Sequence, residues 1–163
     1  MKKTASILLL LAMVFSLAAC ASKPKDNGFS ADLSDFYANN FSGDDVPAME
    51  QLQDDETIES LYPGLTAIER KQTVLATALI SAVAAEVAMV EVANADDVEK
   101  VKEIFQARID YMVGDGNGPG GAWYPETMEQ WETNSEIVVR DNYVCLFVGE
   151  NKDALVSAFN ALG

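Results

Sequence analysis

The sequence predicts an α+β fold: a four-stranded antiparallel sheet with helices packed on one face, preceded by short helices. Three observations support it. Two neighbouring stretches are rich in Val, Thr and Ala, a long segment with helical spacing follows them, and two further apolar stretches are joined by a two-residue turn before a last helical segment. The order is therefore strand, strand, helix, strand, strand, helix.

The first residues have the pattern of an export signal. Lysines at positions 2 and 3 precede an apolar run over residues 7–17, which is too short to span a bilayer comfortably. The run leads into Leu17-Ala18-Ala19-Cys20, which has the form of a lipobox. We predict a lipoprotein signal peptide over residues 1–19 and a diacylglyceryl group on Cys20, which anchors the exported protein to the outer face of the cytoplasmic membrane. The alternatives are an ordinary secretory signal and an uncleaved anchor helix.

Composition limits what the rest of the chain is expected to do. The chain has 163 residues, so removal of residues 1–19 leaves 144, which we divide into a flexible tether over residues 20–30 and a single α+β domain over residues 31–163. Two of the 11 Lys and Arg are lost with the leader, so 9 basic residues face 26 acidic ones, a formal charge of −17. Nucleic acid is therefore not an expected partner, and the only expected membrane contact is the lipid anchor.

Two chemistries are restricted by the residue types present. The sequence contains no His, which excludes every catalytic triad and metal site built on imidazole. Once Cys20 is lipidated, Cys145 has no partner for an intramolecular disulfide, and we expect it to be a structural thiol.

The short helices come first along the domain. Residues 32–41 have helical spacing, with Ser30 as the expected N-cap. Residues 42–59 form an acidic connection, and one or two helical turns are predicted over residues 56–62, ended by Pro63-Gly64.

The first predicted strand pair covers residues 72–81 and 86–93. Both stretches are rich in β-branched and apolar residues, and the second one alternates. A buried helix over residues 77–92 is the alternative, because Ala favours helices.

The clearest helix covers residues 96–113, where apolar residues recur at steps of three and four. Asp96 and Glu99 have the spacing of a capping box, and Gly114 ends the helix. A short helix is predicted from Pro125 to Glu132.

Residues 136–140 and 143–149 form the best hairpin, because a two-residue turn joins them and fixes their register. Arg140 then pairs with Tyr143, and one face of the hairpin is entirely apolar, so we expect that face to meet the helices. The opposite face carries Tyr143 and Phe147 and is expected to be only partly covered. A terminal helix follows, with the asparagine at position 151 as its expected N-cap.

Several short segments occur in an order and spacing that is typical of a known family. Together with the lipobox at Cys20, they are Glu56-Thr57-Ile58-Glu59-Ser60-Leu61-Tyr62, Glu86-Val87-Ala88-Met89-Val90-Glu91-Val92, Asp97-Val98-Glu99-Lys100-Val101, Arg108-Ile109-Asp110-Tyr111, Tyr124-Pro125 and Val138-Val139-Arg140-Asp141-Asn142-Tyr143-Val144. The chain resembles the small lipoproteins of the domain-of-unknown-function 4358 family over most of residues 45–160. The resemblance implies an exported, lipid-anchored domain, and it implies no activity.

The glycine-rich loop after the long helix partly fits a calcium site. Asp115, Asn117 and Glu126 place oxygen ligands at its first, third and twelfth positions. Pro119 stands where a third acceptor belongs, and a flexible loop that binds nothing is the alternative. We predict no metal and keep these three residues as candidates.

Aromatic residues around the same loop suggest a contact surface. Trp123, Tyr124 and Trp131 are able to stack on a sugar or grip a peptide, and the alternative is a small core packed under the loop. The carboxylates of residues 44–59 would need a desolvated member to act as a catalytic pair, and the segment is polar throughout.

These features predict a non-enzymatic binding or interaction module at the cell surface, with no cofactor beyond its lipid and an envelope protein or glycan as its partner. The candidate contact residues are Trp123, Tyr124, Trp131, Tyr143 and Phe147. The alternatives are a carboxylate-based cell-envelope hydrolase, such as a glycan-cleaving enzyme, and a calcium-stabilised module.

Overall fold

The computed structural model describes residues 28–43, 46–118 and 120–163. The predicted signal peptide, Cys20 and the tether up to residue 27 lie outside the described residues. Within them the chain forms five α-helices and a five-stranded antiparallel sheet. In chain order the elements are α1 (Leu33–Asn40), β1 (Met49–Gln51), α2 (Asp55–Leu61), β2 (Arg70–Ala78), β3 (Glu86–Val92), α3 (Val98–Val113), α4 (Pro125–Thr133), β4 (Ser135–Arg140), β5 (Tyr143–Val148) and α5 (Lys152–Asn160).

The α+β class and both predicted strand pairs are confirmed. The sheet has the order β1-β2-β3-β5-β4, with every neighbouring pair antiparallel. The hairpin of β4 and β5 has the predicted register, in which Arg140 faces Tyr143 and Ile137 faces Leu146. Asp141, in the turn between them, has a φ of 49°, as a tight hairpin turn requires.

Within the described residues, the sheet has five strands, one more than the four that were predicted. β1 lies inside the segment that the sequence suggested was an acidic connection, and Met49 pairs with Ala78 at the far end of β2. Its three residues are Met-Glu-Gln, too few for an alternating pattern to be seen, so only its pairing with β2 defines it as a strand.

The prediction that helices cover one face of the sheet was wrong, because helices cover both. On one face α2, α3 and α4 pack over a core that includes Leu75, Val90 and Leu146. On the other, α1 and α5 pack over a second core that includes Met89 and Phe147. All residues of β3 and β5 are consequently buried.

Several helix starts differ from their predicted positions. Asp32, rather than Ser30, is the N-cap of α1, and its side chain accepts from the Asp35 amide at 2.9 Å. A single 3-10 turn over residues 95–97 precedes α3, and Asn94 caps that turn, so the capping box of Asp96 with Glu99 does not form. The residue at position 151 is the N-cap of α5 but makes no side-chain cap bond. Pro125 begins α4, as predicted.

Among the described residues, no helix combines the length and apolar character that crossing a bilayer would require.

Candidate functional site

A buried ion pair holds α3 against the beginning of β3. Arg108 donates from Nε to Glu86 Oε1 at 2.9 Å and from Nη2 to Oε2 at 2.8 Å, and both side chains are buried. The Tyr62 hydroxyl donates to the same Glu86 Oε1 at 2.5 Å. The guanidinium also lies 5.5 Å from the centre of the Trp131 ring. Arg108 on α3 and Tyr62, directly after α2, therefore both bind the Glu86 carboxylate at the start of β3, at the base of the loop between β2 and β3.

The electrostatics of this cluster favour its present charge state. Burial, followed by the negative charge of Glu86, raises the pKa of Tyr62 well above its usual value and keeps the phenol protonated. Burial opposes the charged guanidinium, but the hydrogen bonds and charge of Glu86 outweigh it and raise the pKa of Arg108. Sequence reasoning missed this cluster. Its only sequence signal was a basic residue three positions after Phe105, on the apolar stripe of α3.

Directly before Glu86, the loop between β2 and β3 exposes apolar side chains. Leu79 is 60% exposed, Ile80 63% and Val83 37%. Residues 80–83 of this loop form a turn in which the Val83 amide donates to the Ile80 carbonyl at 3.0 Å. Sequence reasoning missed this surface as well, because it assigned residues 79–81 to the first predicted strand.

The predicted aromatic cluster is divided between surface and core. Trp123 is 73% exposed and Tyr124 is 54% exposed, whereas Trp131 is buried over Arg108. The Trp123 backbone has a φ of 62°, a left-handed conformation that is rare for a bulky residue. Its amide donates to the Gly120 carbonyl at 3.0 Å, which holds the exposed indole in this turn.

Two clefts lie beside the apolar loop, one at the start of α4 and the other against the segments around Met49 and Gly149. Ala82 lines both, and its carbonyl accepts from Thr127 Oγ1 at 3.1 Å. One cleft, of about 420 Å³, includes Tyr124 and Glu126 in its wall. The other, of about 450 Å³, includes Val83 and Glu150. We call the clefts and their rim the distal surface; it consists of residues 79–85, Trp123, Tyr124, Glu126 and Glu150.

The distal surface and the start of the domain lie at opposite ends of the sheet. The Phe29 ring packs 5.0 Å from the Tyr143 ring and lies 3.6 Å from the Arg140 guanidinium, next to the turn between β4 and β5. Tyr143 pairs with Glu91 at one end of β3, whereas Glu86 pairs with Val148 at the other. At about 3.4 Å per residue, those two ends are roughly 17 Å apart. We call the end at Phe29 the tether end.

Tyr143 and Phe147 do not form a contact surface. They are 4% and 0% exposed, and both belong to the core under α1 and α5. The expectation that their face is partly open was wrong, because α1 covers it through contacts such as that of Phe36 with Phe147. The Tyr143 hydroxyl lies within hydrogen-bond distance of the Ala31 backbone, so it helps to hold the incoming chain.

The calcium candidates are also placed by the structure. Asp115 Oδ1 accepts from the Asn117 backbone amide at 3.0 Å. Hydrogen bonds from the backbone and side chain of Asn117 lower the pKa of Asp115. Glu126 lies in the first turn of α4. In the part of the chain that the structure describes, no group of three or more acidic or cysteine side chains is placed to hold a metal ion.

Three of the remaining candidates, Asp54, Glu59 and Cys145, have structural roles, whereas Asp44 and Asp45 lie outside the described residues. In the acidic segment, Asp54 caps α2 by accepting from the Thr57 amide at 2.8 Å. Glu59 accepts from the Gly64 amide and the Thr66 hydroxyl, and these two hydrogen bonds lower its pKa. Cys145 is buried in β5, and burial raises the pKa of its thiol far above the usual value, so the thiolate nucleophile is not available at neutral pH.

Comparison with known proteins gives the family. The family model described as Domain of unknown function (DUF4358) matches residues 42–149. The chain belongs to this family. The matched range contains the distal surface except Glu150 and also contains the buried Glu86–Arg108 pair, but α1 and α5, which cover the second face of the sheet, lie outside it. Comparisons with curated proteins and with solved structures gave no match.

Proposed function

We propose that this member of the DUF4358 family is a lipid-anchored, extracytoplasmic binding module without enzymatic activity. The lipid is attached at Cys20, and a partner in the cell envelope binds at the distal surface. One observation carries the proposal: two clefts, one lined by Val83 and the other by Tyr124, lie at the end of the sheet opposite to the tether, and the adjoining chain exposes Leu79, Ile80 and Trp123. Apolar surface of this kind is characteristic of interaction sites.

The position of the anchor relative to the domain supports this orientation. Cys20 precedes Gly28 by eight residues, which reach at most about 28 Å when fully extended. The membrane would therefore lie near the tether end. Arg70, Lys71 and Arg140 also lie at that end of the sheet, where Lys71 pairs with Glu91. The distal surface would then point away from the membrane, toward other components of the envelope.

The non-enzymatic part of the proposal is supported by the roles of the acidic side chains. A carboxylate-based hydrolase needs two acids in different environments across a cleft. Glu86 is a desolvated carboxylate, and Arg108 and Tyr62 already occupy its oxygens. The two acids of the distal surface, Glu126 and Glu150, are both exposed and line different clefts.

Two measurements test the proposal. Mass spectrometry of the native protein should find Cys20 as the lipidated first residue, and a Cys20→Ser variant should no longer fractionate with membranes. An unmodified Cys20 behind an intact leader would remove the proposed location.

In the second measurement, made in living cells, a photo-crosslinking amino acid replaces Ile80 at the distal surface or Glu69, which directly precedes β2 at the tether end. We expect a discrete crosslinked product at position 80 that disappears in a Trp123→Asn background, and none at position 69. Equal products at the two positions, or none at position 80, would show that the distal surface is not the binding site.

A further inference from the structure

We propose that the distal surface binds a cationic, amphipathic segment of a partner protein, with its apolar side chains in the two clefts and its Lys or Arg side chains on the acidic rim. This inference rests on the proposed function and names the chemistry of the partner.

The charge of the rim supports a cationic partner. Glu126 lines one cleft and Glu150 the other, and both side chains are exposed. The nearest basic side chain in sequence is Lys152, which already binds Asp153 at 2.7 Å and Glu136 at 3.4 Å. The whole chain has a formal charge of −15, so the surrounding field also attracts cations.

The other basic side chains of the described residues lie away from this surface. Arg108 is buried against Glu86. Lys100 and Lys102 begin α3, where they bind Asp97 and Glu99. Arg70, Lys71 and Arg140 lie at the tether end. The charged groups that face outward from the distal surface are therefore acidic.

The apolar part of the surface is held in place before any partner arrives. The turn that exposes Trp123 is closed by its own hydrogen bond to Gly120, and the Gly121 amide donates to the Tyr111 carbonyl at 2.8 Å. The loop at Ala82 is attached to α4 through Thr127. A surface that is already ordered loses little conformational entropy on binding, which favours a partner that inserts side chains into the clefts.

Other occupants fit these observations less well. An anionic lipid surface would be repelled by the carboxylates, and the anchor places the membrane at the opposite end. A second copy of the chain would bring two acidic rims together, which costs energy. A neutral glycan is able to stack on Trp123, but it leaves the carboxylates and the apolar residues of the loop without complementary groups.

The test uses the full-length lipidated chain in phosphatidylcholine nanodiscs, with empty nanodiscs as the reference, and measures peptide binding by surface plasmon resonance. The probe is an amphipathic peptide of Lys and Leu. One comparison peptide has Glu in place of every Lys, and a second has Ser in place of every Leu. We expect the Lys/Leu peptide to bind at least about tenfold more tightly than either comparison peptide. Equal binding of the Lys/Leu and Glu/Leu peptides would overturn the inference.

Paired variants separate a specific site from general attraction to an acidic protein. The double variant Glu126→Gln, Glu150→Gln should weaken binding of the Lys/Leu peptide about tenfold, and its matched control, Glu69→Gln with Glu103→Gln, should change it less than about twofold. Equal loss in the two double variants would mean that the peptide responds only to net charge. For the apolar part, Ile80→Ser should weaken binding, whereas Val139→Ser, at an exposed apolar residue on β4, should not.

Failure of this inference is distinguishable from failure of the proposed function. If the crosslink at position 80 forms in cells but the Lys/Leu peptide does not compete for it, the partner has other chemistry and only the inference fails. If soluble cell-wall glycan fragments compete instead, a glycan is the ligand. If no crosslink forms at position 80, the proposed function itself fails.

Discussion

Arg108 and Glu86 are 22 residues apart in the sequence and meet through two parallel hydrogen bonds inside the domain. Removal of one partner leaves a buried charge without compensation, which typically costs about 3–5 kcal/mol. We therefore expect Arg108→Met to lower the free energy of unfolding by about that amount, as measured by urea denaturation. The matched control is Lys102→Met, at the exposed pair with Glu99, which should cost less than about 1 kcal/mol.

The double variant Arg108→Met, Glu86→Leu extends this test. It removes both charges, so it should recover a large part of the stability that the single variant loses. If Arg108→Met alone were as mild as Lys102→Met, the pair would not hold α3 to β3.

Because of Tyr62, the free energy of unfolding should fall as the pH rises above the usual pKa of tyrosine. Its folded pKa is raised above the usual value of about 10, so above that pH the unfolded chain loses a proton that the folded chain retains. The contribution of the protonated Tyr62 to the free energy of unfolding is complete below about pH 10. It is lost as the pH rises toward the folded pKa, at up to about 1.4 kcal/mol per pH unit.

Urea denaturation between about pH 8 and pH 11 checks this expectation. Tyr62→Phe should lower stability at neutral pH, because a hydrogen bond to Glu86 is lost, and should flatten the alkaline decline. Tyr111→Phe, at an exposed tyrosine, serves as the control and should leave the alkaline decline unchanged. An identical alkaline decline in Tyr62→Phe and the wild type would contradict the prediction.

The glycines of the loop before α4 should differ sharply in their tolerance of a side chain. A Cβ at Gly120 would clash with the Met112 carbonyl oxygen, whereas a Cβ at Gly118 would meet nothing within 4 Å. We expect Gly120→Ala to cost about 1–3 kcal/mol and to displace Trp123, which thermal melts and indole fluorescence would record. Gly118→Ala should be close to neutral, and similar effects of the two substitutions would contradict the packing of this loop.

Trp123 should be unfavourable for stability at its position. Its φ of 62° suits Gly or Asn, and a left-handed conformation costs other residues roughly 1–2 kcal/mol. Trp123→Gly and Trp123→Asn should therefore keep or raise the melting temperature while they reduce binding at the distal surface. A large loss of stability in Trp123→Asn would mean that the indole is part of the fold and would weaken its assignment to a contact surface.

Calcium should have no effect on stability. Asp115 is engaged by Asn117, and no metal-binding group of three acids occurs in the described part of the chain. We expect the same melting temperature with millimolar calcium and with chelator. A rise in melting temperature with calcium that is absent in Asp115→Asn would support the calcium-stabilised alternative.

Local patterns predicted much of the architecture. The two-residue turn after Arg140 fixed the register of β4 and β5, because a tight turn leaves the flanking strands only one way to pair. The apolar stripe of α3 and the proline at the start of α4 placed those helices correctly. Each of these signals acts between neighbours in the chain, which is why it was readable without the fold.

The candidate site was only partly predictable. The exposed aromatic residues Trp123 and Tyr124 were singled out in advance, but Leu79 and Ile80 were assigned to the first predicted strand, and Trp131 lies in the core. Periodicity distinguishes the two sides of an element and does not tell whether a neighbour covers each side.

The sequence by itself determined the strand pairs, the long helix and the absence of imidazole chemistry, since these depend on composition and on contacts a few residues apart. Only the tertiary structure decided that α1 and α5 cover Tyr143 and Phe147, that Glu86 meets Arg108, and that the exposed apolar loop lies at the far end of the sheet from Phe29. Such relationships join residues far apart in the sequence, for example Glu86 and Arg108 at 22 positions and Ala31 and Tyr143 at 112, and they form only when several elements pack together.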